Sequence, residues 1–136
     1  MSFEKEDIIK YRIEKAHRTF QEAQSLIQSE FWSGAVNRFY YKCYHFVKAL
    51  LLKNNIKAST HNGVRTEFFK HFIKTGILDK KISTLYSDLM NKRQESDYDD
   101  FFEFEEADIL PLVDEVKEFQ NQIEKLINAR PTPNSK

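Results

Sequence analysis

The sequence predicts an all-α protein, folded as an up-and-down bundle of four main helices with one shorter accessory helix. The 136 residues include only three glycines and three prolines, so residues that interrupt regular structure are scarce. Apolar residues recur every three or four positions over long stretches, whereas the alternation typical of strands is rare. We expect one helical domain over residues 1–130 and a flexible tail over residues 131–136.

The first two helices are predicted to be antiparallel neighbours. A continuous apolar stripe indicates a helix over about residues 4–28, formed by Ile9, Ile13, Ala16, Phe20, Ala23 and Ile27. A second helix is expected over about residues 33–54, with a packing side formed by Ala35, Phe39, Cys43, Phe46, Val47 and Leu50. The connection between them is short, which favours antiparallel packing.

Capping residues predict the next two helices. Ser59 and Thr60 can cap a short helix over about residues 61–74, and Gly76 can end it in the left-handed conformation. Asp79 can cap a fourth helix. The stripe of that helix ends in a charge and consists of Ile82, Leu85, Tyr86, Leu89 and Arg93.

The segment after the fourth helix is predicted to be irregular. Residues 95–106 are acidic and aromatic without a clear helical period, so we expect an ordered loop packed by Phe101, Phe102 or Phe104. A last helix is expected over about residues 105–128, with Pro111 in its first turns or bending it.

Composition limits the functional classes. Lys+Arg and Asp+Glu both total 21, so overall charge does not attract nucleic acid and any contact with RNA must be a local patch. Basic residues near the second and third helices offer such a patch, and these are Lys42, Lys48, Lys53, Lys57 and Arg65.

The chemistry of the chain indicates a cytoplasmic protein without a membrane anchor. Its single cysteine, Cys43, cannot form an internal disulfide, and no apolar run approaches the length of a membrane span. The four histidines lack the spacing of a metal site. We therefore predict neither a metal nor a cofactor.

Polar residues occupy the second helix on the side opposite its packing residues. At about 100° per residue, Asn37, Arg38, Tyr41 and His45 fall within an arc of about 100°. A helix that only filled a core would not need these groups. One side of this helix is therefore expected to pack, and the other to offer hydrogen-bonding groups.

Arg93 is the most informative charge, because it continues an apolar stripe. A guanidinium is rarely buried unless carboxylates or a phosphate satisfy its donors. Either an ion pair with Asp97 or a phosphate-facing role fits this position. We expect Arg93, Asp97, Tyr98 and His61 to line one groove with the polar side of the second helix. That groove could bind a ligand or form a polar network that holds the helices in register.

Four stretches of the chain together resemble the small stand-alone prokaryotic members of the HEPN family (higher eukaryotes and prokaryotes nucleotide-binding). They are Asn37-Arg38-x-Tyr40-Tyr41, Thr-His-Asn-Gly-Val from residue 60, Phe72-x-x-x-Gly76-Ile-Leu, and Arg93-Gln-Glu-Ser-Asp-Tyr98. The resemblance implies a helical bundle associated with nucleotide or RNA. It also implies one component of a toxin-antitoxin type pair, whose partner is a minimal nucleotidyltransferase. We further expect a homodimer.

The chain departs from the ribonuclease motif of that family, in which a histidine follows the arginine after a few positions. Tyr98 stands in that place, and no histidine occurs after His71. A phenol with a pKa of about 10 is a poor proton acceptor beside an imidazole with a pKa of about 6.5. We therefore favour a binding module over an enzyme.

Two alternatives stay open. One is a metal-independent ribonuclease toxin that uses Arg93 with a histidine from another helix, His61 or His45. The other is a purely structural domain that dimerises through its aromatic second helix.

Overall fold

The structure is a computed structural model that describes residues 4–98 and 103–129, except for the side chain of Tyr98. These ranges contain helices and no strand, which confirms the predicted all-α fold. The elements are α1 (Lys5–Gln28), α2 (Trp32–Lys53), α3 (His61–Phe68), a π-helical turn (Phe69–Ile73), α4 (Lys80–Tyr98) and α5 (Glu106–Asn128). The predicted tail, residues 131–136, lies outside the described residues.

Helix α2 is the central element of the bundle, because it packs against α1, α3, α4 and α5. Its predicted packing side is confirmed, since Ala35, Phe39, Cys43, Phe46, Val47 and Leu50 are all fully buried. This aromatic side of α2 packs against other helices of the same chain. Phe39 is therefore unavailable for a contact between subunits.

The connection between α1 and α2 is as short as predicted. The backbone N–H of Phe31 donates to the Leu26 carbonyl at 2.8 Å, and Glu30 adopts a positive φ of 60° between them. This arrangement ends α1 and reverses the chain within a few residues. The two helices then pack along their lengths.

Helix α3 begins and ends near the predicted residues. The Thr60 side chain accepts a hydrogen bond from the backbone N–H of Gly63 at 2.9 Å, so Thr60 is the N-cap among the two predicted candidates, Ser59 and Thr60. Gly76 follows with a φ of 82°. The predicted single helix instead widens after Phe68 into the π-helical turn, which the sequence pattern did not indicate.

The prediction of a loop over residues 95–106 is wrong for residues 95–98, because α4 continues to Tyr98. Two ion pairs at i, i+4 spacing support its last turns, Lys92 with Asp88 at 3.1 Å and Arg93 with Asp97 at 3.8 Å. Phe104 is buried as expected. Phe101 and Phe102 lie outside the described residues.

Helix α5 closes the bundle. Glu105 and Asp108 form a reciprocal capping box at its start, and Pro111 lies inside the helix near that end, as predicted. Its buried side consists of Ile109, Leu112, Val116, Phe119, Ile123 and Ile127. None of the helices in the described ranges is long and apolar enough to cross a membrane.

Candidate functional site

Arg93 of α4 lies on the tyrosines of α2 at one corner of the bundle. Its guanidinium carbon is 4.8 Å from the ring centroid of Tyr40 and 5.7 Å from that of Tyr41. The Arg93 side chain is only 16% exposed. Helix α4 can place it there because its apolar stripe, which Arg93 continues, faces α2.

Most of the hydrogen-bonding capacity of Arg93 is unused within residues 4–98 and 103–129. Its Nη1 donates to the Tyr41 hydroxyl at 3.4 Å, and the same nitrogen lies 3.8 Å from Asp97 Oδ2. Its buried Nε–H has no partner among the described residues. A guanidinium carries five N–H donors, and within these ranges two long contacts leave most of them available. The Asp97 ion pair and a phosphate-facing role, which the sequence offered as alternatives, are therefore compatible.

His61, the first residue of α3, lies on the same tyrosines. Its Nδ1 is 2.6 Å from the Tyr40 hydroxyl, and its ring centroid is 4.6 Å from that of Tyr44 and 5.9 Å from that of Tyr41. Burial and the positive charges of Arg93 and Lys48 lower the pKa of His61. The imidazole is therefore neutral near pH 7.

The bond between Tyr40 and His61 assigns a tautomer. Burial raises the pKa of Tyr40 to about 12, against the weaker lowering effects of Tyr86 and Arg93, so the phenol keeps its proton. A phenol O–H is a stronger donor than the N–H of a neutral imidazole, and an unprotonated ring nitrogen is a stronger acceptor than a phenol oxygen. We therefore assign Tyr40 as the donor to Nδ1 of His61, with the imidazole hydrogen on Nε2. In this tautomer, His61 can donate a hydrogen bond to an anion.

His45 lies one turn beyond Tyr41 on α2 and faces α1. Its Nδ1 accepts a hydrogen bond from Nη1 of Arg12 at 3.0 Å, and its ring centroid is 6.3 Å from that of Tyr41. Burial, with the charges of Arg12 and Lys15, lowers the pKa of His45 to about 4. His45 is thus a buried neutral group that orients Arg12, and it borders the Arg93 corner through Tyr41.

Arg38 bonds its neighbour Asn37 and also a residue of α1. Nη1 of Arg38 donates to Asn37 Oδ1 at 2.9 Å, and Nε of Arg38 donates to Glu22 at 3.3 Å. No bond joins either residue to Arg93 among the contacts of the described residues. Of the predicted groove, the structure brings together Arg93, Asp97, Tyr41 and His61, places His45 beside Tyr41, and pairs Arg38 with Asn37 and with Glu22 of α1. The Tyr98 side chain lies outside the described residues.

Three further residues belong to this corner or border it, and the predicted groove did not include them. Tyr40 and Tyr44 are buried core aromatics, but their rings also form the walls on which His61 lies. Arg12 of α1 bonds His45. Helical spacing identifies the side of a helix but not the polar partner opposite it, so these pairings had no signal in the sequence.

One member of the predicted basic patch is misplaced. Lys42 is only 1% exposed, and its Nζ lies 3.6 Å from the ring centroid of Phe20 and 6.0 Å from that of Phe46. The expectation that Lys42 contributes surface charge is therefore wrong. Lys48 and Arg65 are partly exposed, and Lys57 is exposed.

Comparison with known proteins decides the family. The family model described as "HEPN domain" matches residues 9–128. The chain belongs to the HEPN family. That match includes α2, α3 and α4, the helices that carry the Arg93 corner of this HEPN domain.

Relatives of this HEPN protein occur in bacteria and archaea. A "UPF0332 protein" of Thermotoga maritima is 36% identical over 124 residues, which cover 91% of this chain and 94% of the relative. Two proteins of Methanocaldococcus jannaschii are also similar. "Putative toxin MJ0142" is 36% identical over 85% of this chain and 78% of its own length. "Putative toxin MJ0605" is 31% identical over 63% of this chain and 64% of its own length.

Proposed function

We propose that this HEPN domain is a binding module for RNA or nucleotide, and that Arg93 binds a phosphate of that ligand. The observation that carries the proposal is the guanidinium of Arg93, held against Tyr40 and Tyr41 with most of its donors unpaired in the part of the chain that the structure describes. Planar guanidinium groups bind phosphate oxygens through pairs of parallel N–H bonds. Tyrosine walls lower the dielectric around such a bond and so strengthen it.

His61 supports the phosphate role. Its ring shares the Tyr40 and Tyr41 walls with Arg93, and its Nε2–H can donate to the same anion. The position of His61 in the first turn of α3 adds the favourable field of a helix N-terminus. An arginine, an imidazole N–H and a helix start thus surround one small region.

The same geometry favours binding over cleavage. A general base needs an unprotonated nitrogen facing the substrate. In His61 that nitrogen is Nδ1, and the Tyr40 hydroxyl occupies it. Nδ1 of His45 is likewise occupied by Arg12. The sequence also favours binding over cleavage, because Tyr98 occupies the position of the motif histidine.

The cellular role proposed for this module is a toxin-type component of a two-protein system. Two relatives carry the word toxin in their names, which supports this role. We propose, from the family resemblance, that the partner is a minimal nucleotidyltransferase and that the HEPN domain acts as a homodimer. Copurification of the protein with a nucleotidyltransferase encoded beside its gene tests the partnership. Recovery of the HEPN protein alone from cells that express both would contradict it.

Fluorescence anisotropy with a labelled oligoribonucleotide tests the binding function. Replacing Arg93 by methionine keeps side-chain length and removes the charge, so we expect affinity to fall by about tenfold or more. Arg18→Met is the matched control, because Arg18 is an exposed arginine on α1. Equal affinities for the wild type and Arg93→Met would contradict the proposal. Total RNA incubated with the wild type should stay intact.

A ribonuclease is the second candidate, and the proximity of His61 to Arg93 on shared tyrosine rings favours it. Here Arg93 would stabilise the scissile phosphate and His61 would move the proton at the 2′-hydroxyl. Degradation of total RNA by the wild type, lost in both Arg93→Met and His61→Gln, would establish this activity. Such a result would replace the binding module with an enzyme.

A further inference from the structure

A cleft of about 560 Å³ opens between the start of α1, the end of α2 and the segment that connects α2 to α3. Its floor is aliphatic and includes Leu51, Leu52 and Ile56. Its walls carry three cations, Arg12, Lys48 and Lys57, and none of the described residues that line it is acidic. The cleft therefore combines an apolar surface with uncompensated positive charge.

Two of the three cations are held in place by hydrogen bonds to neutral acceptors. Nζ of Lys48 donates to the Ala58 carbonyl at 2.8 Å, and Nη1 of Arg12 bonds Nδ1 of His45 at 3.0 Å. None of the three cations forms an ion pair within residues 4–98 and 103–129.

The cations also repel each other. Burial and the charge of Arg12 lower the pKa of Lys48. An anion bound between Arg12 and Lys48 would relieve this repulsion, because opposite charge favours the protonated lysine.

One stripe of α2 connects this cleft to the Arg93 corner. Tyr41, His45 and Lys48 follow each other at i, i+4 and i+7 and so share one side of the helix. Two helical turns, or about 10 Å, separate Tyr41 from Lys48. At about 3.4 Å per nucleotide of a stacked strand, that distance is spanned by roughly three nucleotides. The charges of both Arg93 and Lys48 lower the pKa of His61, so this residue is influenced by a cation from each site.

We propose that this cleft is a second subsite for the RNA strand that Arg93 binds. Arg12, Lys48 and Lys57 bind a backbone phosphate of that strand there, and a base lies on the aliphatic floor. This inference rests on the proposed function of the Arg93 corner. An acidic peptide would match the same charges, but the short separation between Tyr41 and Lys48 along α2, about 10 Å, favours a strand that reaches both places.

Binding of RNA strands of two lengths tests the subsite. A dinucleotide can occupy only one site, whereas a longer oligoribonucleotide can occupy both. We expect Lys57→Met and Lys48→Met each to weaken binding of the longer strand by about threefold or more at low salt, and to weaken binding of the dinucleotide less, because the dinucleotide can bind at the Arg93 corner alone. Each variant should also reduce the slope of log affinity against log salt by about 0.7. Lys125→Met, an exposed lysine on α5, is the matched control.

The outcomes separate the two proposals. Unchanged affinity and salt slope in both cleft variants, with binding still lost in Arg93→Met, would overturn the second subsite alone and leave the cleft to another occupant such as an acidic peptide. Absence of binding for both strand lengths in the wild type would overturn the Arg93 proposal and this one together. Lys48→Met removes the hydrogen bond to Ala58 and could alter the fold locally. Lys57 is exposed and donates no hydrogen bond in the described residues, so Lys57→Met tests the subsite without that complication.

Discussion

Arg93 lies over the ring of Tyr40, with its guanidinium carbon 4.8 Å from the ring centroid. The two residues come from α4 and α2, so this contact joins the end of one helix to the middle of another. Because the same guanidinium has a buried Nε–H that no described residue accepts from, its burial within these residues is only partly compensated. Such a group is better explained by a ligand than by the stability of the bundle.

Stability measurements on Arg93→Met distinguish these roles. Loss of the cation–π contacts costs about 0.5–2 kcal/mol, while removal of an unpaired buried donor recovers about 1–3 kcal/mol. We therefore expect the free energy of unfolding, measured in urea, to stay within about 1 kcal/mol of the wild type. A loss of more than about 3 kcal/mol would instead show that Arg93 holds the helices in register.

Tyr40→Phe removes the hydroxyl that donates to His61 and keeps the ring. We expect the free energy of unfolding to fall by about 1 kcal/mol, and His61 to lose its preference for the hydrogen on Nε2. Nitrogen chemical shifts of the imidazole report that tautomer directly. Tyr44→Phe is the control, because Tyr44 contacts His61 through its ring. An unchanged tautomer in Tyr40→Phe would contradict the assigned bond.

Acid should destabilise the protein through His45. The unfolded chain protonates this histidine below about pH 6.5, whereas the native state keeps it neutral down to about pH 4. The unfolded state binds more protons in that interval, so stability is lost as the pH falls through it, by up to roughly 3 kcal/mol. In His45→Gln this contribution should disappear from the pH dependence of unfolding. Parallel pH profiles for the two proteins would contradict the assignment.

Lys42 should affect stability at alkaline pH. Burial, with minor contributions from neighbouring charges, lowers its pKa from 10.5 to about 8. Between these values the unfolded state binds the extra proton, so wild-type stability gains from a rise in pH. Lys42→Met lacks this gain, and its stability relative to the wild type should fall by up to roughly 3 kcal/mol from pH 8 to 10.5. Urea unfolding at both pH values, with Lys125→Met as the surface control, measures it. A constant difference would be evidence against a buried Lys42.

The fold was predictable from the sequence because its signals are local. The apolar stripe of α1, the Thr60 cap and Gly76 after the third helix all act over a few residues, and the structure confirms each. The end of α4 was not predictable in the same way. Its last turn lacks an apolar period, and ion pairs such as Arg93 with Asp97 support it instead.

The candidate site was predictable only in part. Arg93 interrupts an apolar stripe, and that signal marked it as unusual. Pairings between helices, such as Tyr40 with His61 or Arg12 with His45, depend on how the helices are rotated in the bundle. The environment of Lys42 was not predictable for the same reason, because this lysine was predicted as surface charge and is buried on Phe20. One helix sequence determines the side on which a residue lies, but not what faces it.

The most direct test of the central claim is a double-mutant cycle on RNA affinity with Arg93→Met, His61→Gln and the two combined. If both side chains bind one phosphate, each single variant weakens binding, and the combined loss differs from the sum of the single losses by more than about 0.5 kcal/mol. Single losses that add within that margin, or affinities equal to the wild type in both variants, would contradict a shared phosphate site at the Arg93 corner.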